Sequence, residues 1–508
     1  MSKPLGSFPG GLKLKGHKKR STQSPIRRTP IAKHLILPLQ QHIGAAAVPI
    51  VEVGEKVLKG QQIARAEGHV SVCLHAPSSG IIKAIDEQPI PHPSGLSATC
   101  ITIETDGEDQ WLNRKPVKNF KDMSAHEIRQ IIRDAGIVGL GGAGFPSFIK
   151  LNPGVHHDVD TLLLNGAECE PYISCDDMLM RERAEGILDG VEIIQHALRA
   201  RNVVLAIEDN KPEGISAMEL ALAARPHLHN TRIVVIPTRY PTGGEKQIIQ
   251  VVTGKEVPSN GLPIDIGIVC HNMGTAYAVG RAINHGEPLI SRIVTVTGTD
   301  VTHAGNFETL FGTPISELLE FAETKRQPDE PFILGGPMMG FNLSGDNLPV
   351  TKTANCILVG VDEAAPASEP LPCIRCGDCA TACPASLLPQ QLYWHSRAKD
   401  FEQTRDYNLF DCIECGCCDY VCPSKIPLVS YFRFAKTEIM NQQREQQKSD
   451  LARDRFETRL ARLEQEKQEK EERQRQRKAA LAASKAKKEK QEQASAKAEI
   501  TAAADKEN

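Results

Sequence analysis

Two runs of cysteine carry the chemistry that is easiest to read in this chain. The first is Cys373-Ile-Arg-Cys376-Gly-Asp-Cys379-Ala-Thr-Ala-Cys383-Pro384. The second is Cys412-Ile-Glu-Cys415-Gly-Cys-Cys418-Asp-Tyr-Val-Cys422-Pro423. Each is C-x2-C-x2-C-x3-C-P, a spacing suited to iron–sulfur ligation: three closely spaced thiolates wrap one face of a cluster, and the fourth reaches its neighbour. On that rule Cys373, Cys376, Cys379 and Cys422 hold one [4Fe–4S] cluster, and Cys412, Cys415, Cys418 and Cys383 hold the other. The competing reading is zinc or disulfides, but tetrahedral zinc sites use two ligand pairs rather than a doubled run of four ending in proline. Cys417 fits no slot and reads as a spectator. The spacing predicts passage of single electrons.

A second candidate is Gly139-Leu-Gly141-Gly142-Ala143-Gly144-Phe145-Pro146. It contains G-x-G-x-x-G but follows a predicted helix rather than a strand, so it fails the context of an ordinary dinucleotide fold. The local physics remains. Glycines let backbone amides approach a phosphate, Pro146 suits the first turn of a helix whose N-terminus attracts anions, and Lys150 follows one turn later. A plain structural turn is the alternative. Two more polar clusters sit in loops after strands: Asn165-Gly-Ala-Glu168-Cys-Glu170-Pro171 and Tyr240-Pro-Thr-Gly243-Gly244-Glu245-Lys246. Open α/β sheets bind ligands just past their strand ends. Helix capping would satisfy any one of these loops alone, but less comfortably three.

The elements that must position these groups follow from periodicity. Ser124 and Glu127 form a capping-box pattern ahead of an apolar face of Ile128, Ile131, Ile132 and Ala135. Strands over 161–165, 203–207 and 233–236 alternate with a long helix after Asp177 and another over 245–252, an α/β pattern. The predicted architecture is multidomain α/β and α+β. It runs from a basic extended arm (1–30) to a barrel-sandwich domain (31–112), then an α/β domain (113–289) and a small β-grasp-like domain (290–360). A proline-rich linker (361–372) leads to a tandem 2[4Fe-4S] ferredoxin module (373–436) and a charged helical or disordered tail (437–508). The barrel-sandwich segment resembles biotinyl and lipoyl carriers, yet its tip near Gly68-His69-Val70 lacks the attachment lysine. In the tail only Leu451, Phe456, Leu460 and Leu463 offer an apolar stripe, which predicts one short docking helix and a solvated remainder.

Composition bounds the partners. The net charge of −3 gives no nucleic-acid signal. The arm is locally basic, and Lys18-Lys19-Arg20 reads either as a contact to anionic lipid or an acidic partner, or as a segment packed on a neighbouring domain. Unpaired cysteines and thiolate clusters fit a reducing compartment. The N-terminus has no apolar signal region, and no run approaches the roughly eighteen apolar residues of a membrane span. This predicts a cytoplasmic chain without a transmembrane segment.

Residues 137–275 resemble the flavin- and NADH-binding subunit of respiratory complex I. The matching residues are Gly141-Gly142-Ala143-Gly144-Phe145-Pro146 with Lys150, Asn165, Glu168-x-Glu170-Pro171, Gly244-Glu245 and Asn272-x-x-Thr275. Leu140, Ala167, Cys169 and Lys246 depart from that family's arginine, aspartate, serine and second glutamate. The order of segments over 1–440 is similar to the RnfC components of the bacterial ion-translocating Rnf (Rsx) complex. The resemblance implies an NADH:acceptor oxidoreductase component of a translocase, peripheral on the cytoplasmic side of the inner membrane, using FMN, NAD(H) and the two clusters. Gly141, Gly142, Ala143, Gly144 and Lys150 would hold the FMN phosphate. Asn165, Glu168, Glu170, Gly244, Asn272 and Thr275 would contact flavin or ribose, Glu245 the nucleotide, and Phe145 would stack near the nicotinamide. Partners would be membrane subunits, an iron–sulfur subunit, and ferredoxin or a similar carrier. A cobalamin reductase shares this layout without a membrane, and a relay protein with a vestigial flavin site is a further alternative.

Overall fold

The computed structural model describes residues 5–154, 157–327, 330–343, 345–361 and 369–504. The expected linker over 361–372 therefore lies largely outside the described residues. The chain divides into two compact units, residues 1–433 and 434–508.

Two small antiparallel sheets form the N-terminal body. One has four strands in the order His34–Pro38, Ser97–Thr105, Gly80–Pro89 and Lys56–Val57; the other has three, Val48–Pro49, Gln62–Arg65 and Leu74–His75. Leu35, Leu37, Ile82 and Ile103 from the first share a core with Ile63, Ala64 and Leu74 from the second. The hairpin tip turns at Gly68, and no lysine lies within 66–73.

The helix Ala125–Asp134 has both halves of its capping box: Ser124 accepts from the Glu127 amide, and the Glu127 carboxylate accepts from the Ser124 amide at 2.8 Å. Four parallel strands then pair in the order Thr231–Ile236, Asn202–Glu208, Thr161–Gly166, Ile268–Asn272. Alternation buries both faces. Leu162, Leu164, Leu205 and Ile207 meet Ile187, Ile194 and Val279, while Leu163, Val204 and Ala206 meet Ile248 and Val252 from the helix Glu245–Thr253. Such double coverage is what a parallel sheet requires, each fully buried side chain contributing roughly 1.5–3 kcal/mol. The chain runs outward from Thr161–Gly166 on one side and returns with Ile268–Asn272 on the other. The topological switch point therefore lies between these two strands.

The fourth sheet has six strands, and its edge is a piece of the N-terminal arm: Arg27–Arg28 pairs in parallel with Gly305–Leu310. Arginine on a short edge strand protects the sheet from pairing with other chains. The arm is not a solvated strap. Gly6 donates to Val251 O, Gly11 to Ala382 O and Leu12 to Tyr240 O, so it crosses the α/β domain and the cysteine module before reaching this sheet.

The tail departs from the expectation of one short helix and a solvated remainder. A single helix spans Leu428–Ala504. The composition explains it: Ala, Glu, Lys, Gln and Arg are the strongest helix formers, and they outweigh the sparse apolar stripe. Exposed pairs such as Arg462–Glu466 at 3.5 Å add a few tenths of a kcal/mol each.

Candidate functional site

The glycine loop, the loop after Asn165 and the start of the helix Met273–His285 meet at the switch point. Asn165 and Asn272 are register partners on adjacent strands. Asn272 caps its helix through Oδ1, which accepts from Thr275 N, while its Nδ2 donates to Asp176 at 2.6 Å. The amide is thus locked, with its Cβ about where a side chain on Gly141 would touch it. Thr275, fully buried, accepts from the Leu140 amide at 2.9 Å and braces the loop from below. Gly142 has φ +105° and open space where a Cβ would stand. Gly141, Gly142 and Ala143 are exposed. A phosphate-bearing cofactor fits this arrangement: uncovered backbone with no side chain in the way, at the crevice where the sheet's strand order reverses.

Lys150 closes the short helix Ser147–Lys150 and pairs with Glu245, also donating to Cys270 O at 3.1 Å. Burial opposes the lysine's charge, but Glu245 outweighs it and raises its affinity for the proton. The two residues therefore share one spot, which a nucleotide-binding site needs. Phe145 is half-buried at the end of the glycine loop. Gly244 caps the helix that begins at Glu245, and Asn165 Nδ2 donates to Gly243 O at 2.8 Å.

Two expected cofactor contacts are spent on the frame instead. The Glu168 carboxylate accepts from the Asp176 amide at 2.7 Å and the Asp177 amide at 3.3 Å, at the positive end of the helix Cys175–Leu198. Lys18 approaches it at 3.8 Å, and its ammonium also donates to the carbonyls of Glu168, Glu170 and Ile173. Lys18 is thereby largely covered, its side chain 12% exposed, and the lipid-facing reading of this arm position gives way to the packing one. Burial lowers its pKa, countered by Glu168. Glu170 accepts from the Met338 and Met339 amides at 2.7 and 2.9 Å and clamps the small β domain. Burial pushes its carboxyl up. Beneath the loop, Lys211 donates to Ala167 O at 2.5 Å and pairs with Glu208 at 3.0 Å, both without exposure.

The cysteines fall into two groups. Cys373, Cys376, Cys379 and Cys422 line one cavity of about 310 Å³. Cys383, Cys412, Cys415 and Cys418 line a tighter one. Each group takes three cysteines from one run and the last from the other, as clusters sharing two runs require. The groups differ in depth. Cys383, Cys415 and Cys418 are buried, whereas Cys376 is exposed beside Ile374, itself 69% exposed. Cys417 is fully buried, packed with Tyr240, Ala382 and Cys415.

Residues outside the sequence motifs join the two sites. Tyr240 Oη donates to Cys415 O at 2.5 Å. Lys246, where the resembled family has a second glutamate, points away from the nucleotide spot and pairs with Asp411 at 3.1 Å, immediately before Cys412. Cys169 accepts from Gly243 N at 3.2 Å, and Gly10, at φ +59°, lies so close to Cys383 that a Cβ would sit 2.5 Å from its carbonyl. The sequence signals for these residues are the place of Tyr240 and Lys246 around Gly243-Gly244 and the departures at Cys169 and Lys246; Asp411 and Gly10 give none.

Three family descriptions match in succession: an RnfC barrel sandwich hybrid domain over 6–108, a Nuo51 FMN-binding domain over 132–281 and a 4Fe-4S dicluster domain over 372–426. Proteins named as the C component of an ion-translocating oxidoreductase complex are similar along 91% of the chain. That of Pseudomonas aeruginosa is 52% identical, that of Serratia proteamaculans 48% and that of Haemophilus influenzae 45%. The chain spans 59%, 65% and 69% of their respective lengths. With FMN-binding and dicluster domains in place and relatives this similar along nearly all of its length, the chain belongs to the RnfC family, the C components of ion-translocating oxidoreductase complexes.

Proposed function

We propose that this chain passes electrons between NAD(H), FMN and two [4Fe–4S] clusters as a peripheral subunit of an ion-translocating oxidoreductase. The observation that carries the reading is one loop with two attachments: Asn165 of the flavin-type site holds Gly243, and Tyr240 of the same loop holds Cys415. A bound flavin supplies the ability to exchange electrons in pairs on one side and singly on the other. The chain supplies position. Gly141, Gly142 and Ala143 offer amides to a phosphate, while the buried Gly144, expected there too, spends its amide on Gly139 O and closes the turn; Lys150 offers its positive charge, and the locked Asn272 and Asn165 fix the crevice walls. Glu245 and Phe145 would meet the nucleotide, with Gly244 letting it approach. Glu168, Glu170 and Thr275 keep the frame rigid. The buried cysteine group, Cys383 with Cys412, Cys415 and Cys418, is the inner station, and Cys373, Cys376, Cys379 and Cys422 form the outer one.

No helix among the described residues is long and apolar enough to cross a membrane. The relatives' name, the C component of a complex, supports other subunits of such a complex as partners; in this proposal they are membrane subunits and an iron–sulfur subunit on the cytoplasmic side of the inner membrane, with ferredoxin or a similar carrier exchanging electrons. The test is anaerobic purification with flavin and iron quantified, then NADH addition under a spectrometer. Loss of flavin absorbance followed by cluster reduction is the expected result. Clusters present with neither flavin nor response to NADH would leave a relay protein and sink the proposal.

A further inference from the structure

A cavity of about 430 Å³ lies apart from both sites, and none of the residues assigned above to flavin, nucleotide or clusters lines it. Its walls come from the arm, the barrel-sandwich domain, the helices Cys175–Leu198 and Met273–His285, and the strands Ser291–Thr297 and Gly305–Leu310. The floor is apolar, with Leu140, Leu179, Ala278, Ile293 and Leu310, and the sides carry Trp111 and Tyr277.

Charge is unbalanced toward the positive. Glu308 serves both Arg28, at 3.2 Å, and Arg183, at 4.0 Å. Glu287 serves both Arg114 and Arg281. Each of these carboxylates thus faces two guanidiniums. Lys59 is matched by Asp109 at 2.6 Å. Arg292 is left over. It is 6% exposed, donates to the carbonyls of Ile293, Lys352 and Leu140, and has no carboxylate within ion-pair distance among the described residues. The Cys175 thiol lies beside it as a hydrogen-bond partner, and Asp176 acts on it only through space, where burial together with Glu168 pushes that carboxyl toward its neutral form. A buried guanidinium without a paired anion is costly unless something else supplies the charge.

We propose that this cavity is a binding site for a flat organic phosphate of mononucleotide size, its phosphate held by Arg183, Arg281 and Arg292 and its ring laid on the apolar floor beside Trp111. The volume falls in the range of small-molecule sites, and planar guanidiniums suit phosphate better than ammonium does. The site is distinct from the electron path proposed above but shares Leu140 and Asp176 with the frame of the flavin crevice. The Leu140 backbone lies between them, its carbonyl accepting from Arg292 at 3.1 Å and its amide donating to Thr275 at 2.9 Å, so occupancy would be felt by the glycine loop.

The chain has two tryptophans, Trp111 and Trp394, so Trp394→Phe leaves Trp111 as the reporter. The full chain in this background is titrated with adenosine monophosphate, adenosine and inorganic phosphate, with and without saturating NADH. Expected is saturable quenching by the monophosphate that NADH does not displace, with adenosine and phosphate each at least about tenfold weaker. The half-exposed pair Arg183→Gln with Arg281→Gln should weaken the monophosphate by at least about tenfold while leaving the far-UV spectrum unchanged. Absence of saturable quenching, equal affinity for adenosine, displacement by NADH, or unchanged affinity in the double variant would each overturn the site.

Discussion

At the scale of single residues, the candidate site rests on buried charges that hold one another. Lys18 is the sharpest case, since its ammonium joins the arm to three carbonyls and to Glu168. Lys18→Met leaves Glu168 buried without its cation, which typically costs about 3–5 kcal/mol. A urea unfolding midpoint measured anaerobically should fall accordingly, and an unchanged midpoint would remove Lys18 from the frame. Asp176 makes a different prediction. Burial first, then the Glu168 carboxylate, push it up to about 7 from 3.8. In that window the folded state keeps a proton that the unfolded chain releases, so its contribution to stability is full below the unfolded value and is lost as pH rises through 7. Asp176→Asn should flatten the stability profile across that interval, read as unfolding midpoints from pH 4 to pH 8.

At the scale of elements, the arm and the tail illustrate two ways a charged segment becomes ordered. The arm is fixed by backbone bonds to three other parts of the chain, ending as a sheet edge. Gly10→Val puts a Cβ at a positive φ, against the carbonyls of Ala382 and Cys383. It should pry the arm from the inner cysteine group and appear as faster proteolysis within residues 5–20 and reduced iron content. The tail is helical by local propensity alone, with exposed ion pairs such as Arg453–Glu457 at 3.9 Å. Removing residues 446–508 should therefore lower helical ellipticity but leave iron and flavin content within error of the full chain. Loss of either cofactor would show that the tail supports the rest.

For the whole molecule, the consequential contact is the loop that carries Tyr240 and Lys246. It ties the flavin-type domain to the inner cysteines through Cys415 O and Asp411. Tyr240→Phe leaves the Cys415 carbonyl without that donor, which costs about 1–3 kcal/mol in a buried setting. Flavin bleaching by NADH should keep its rate while cluster reduction slows. If both phases keep their rates, the contact has no part in transfer.

Much of this was legible in the sequence, because the informative signals are local. Cysteine spacing assigns ligands within a run, alternation and capping place the α/β elements, and glycines followed by Pro146 mark uncovered backbone. These depend on neighbours within a few residues, where chain geometry is set by sterics and hydrogen bonding. Long-range pairings were out of reach. That Lys18 is largely covered rather than facing lipid, that Glu168 and Glu170 brace the frame, and that Lys246 turns to Asp411 were decided by packing between segments far apart in the chain. Identical side chains would have been solvated had those segments met otherwise. The arginine-lined cavity is the extreme case: no two of its walls are adjacent in a motif, and its charge imbalance arises only when segments far apart in the chain close around it.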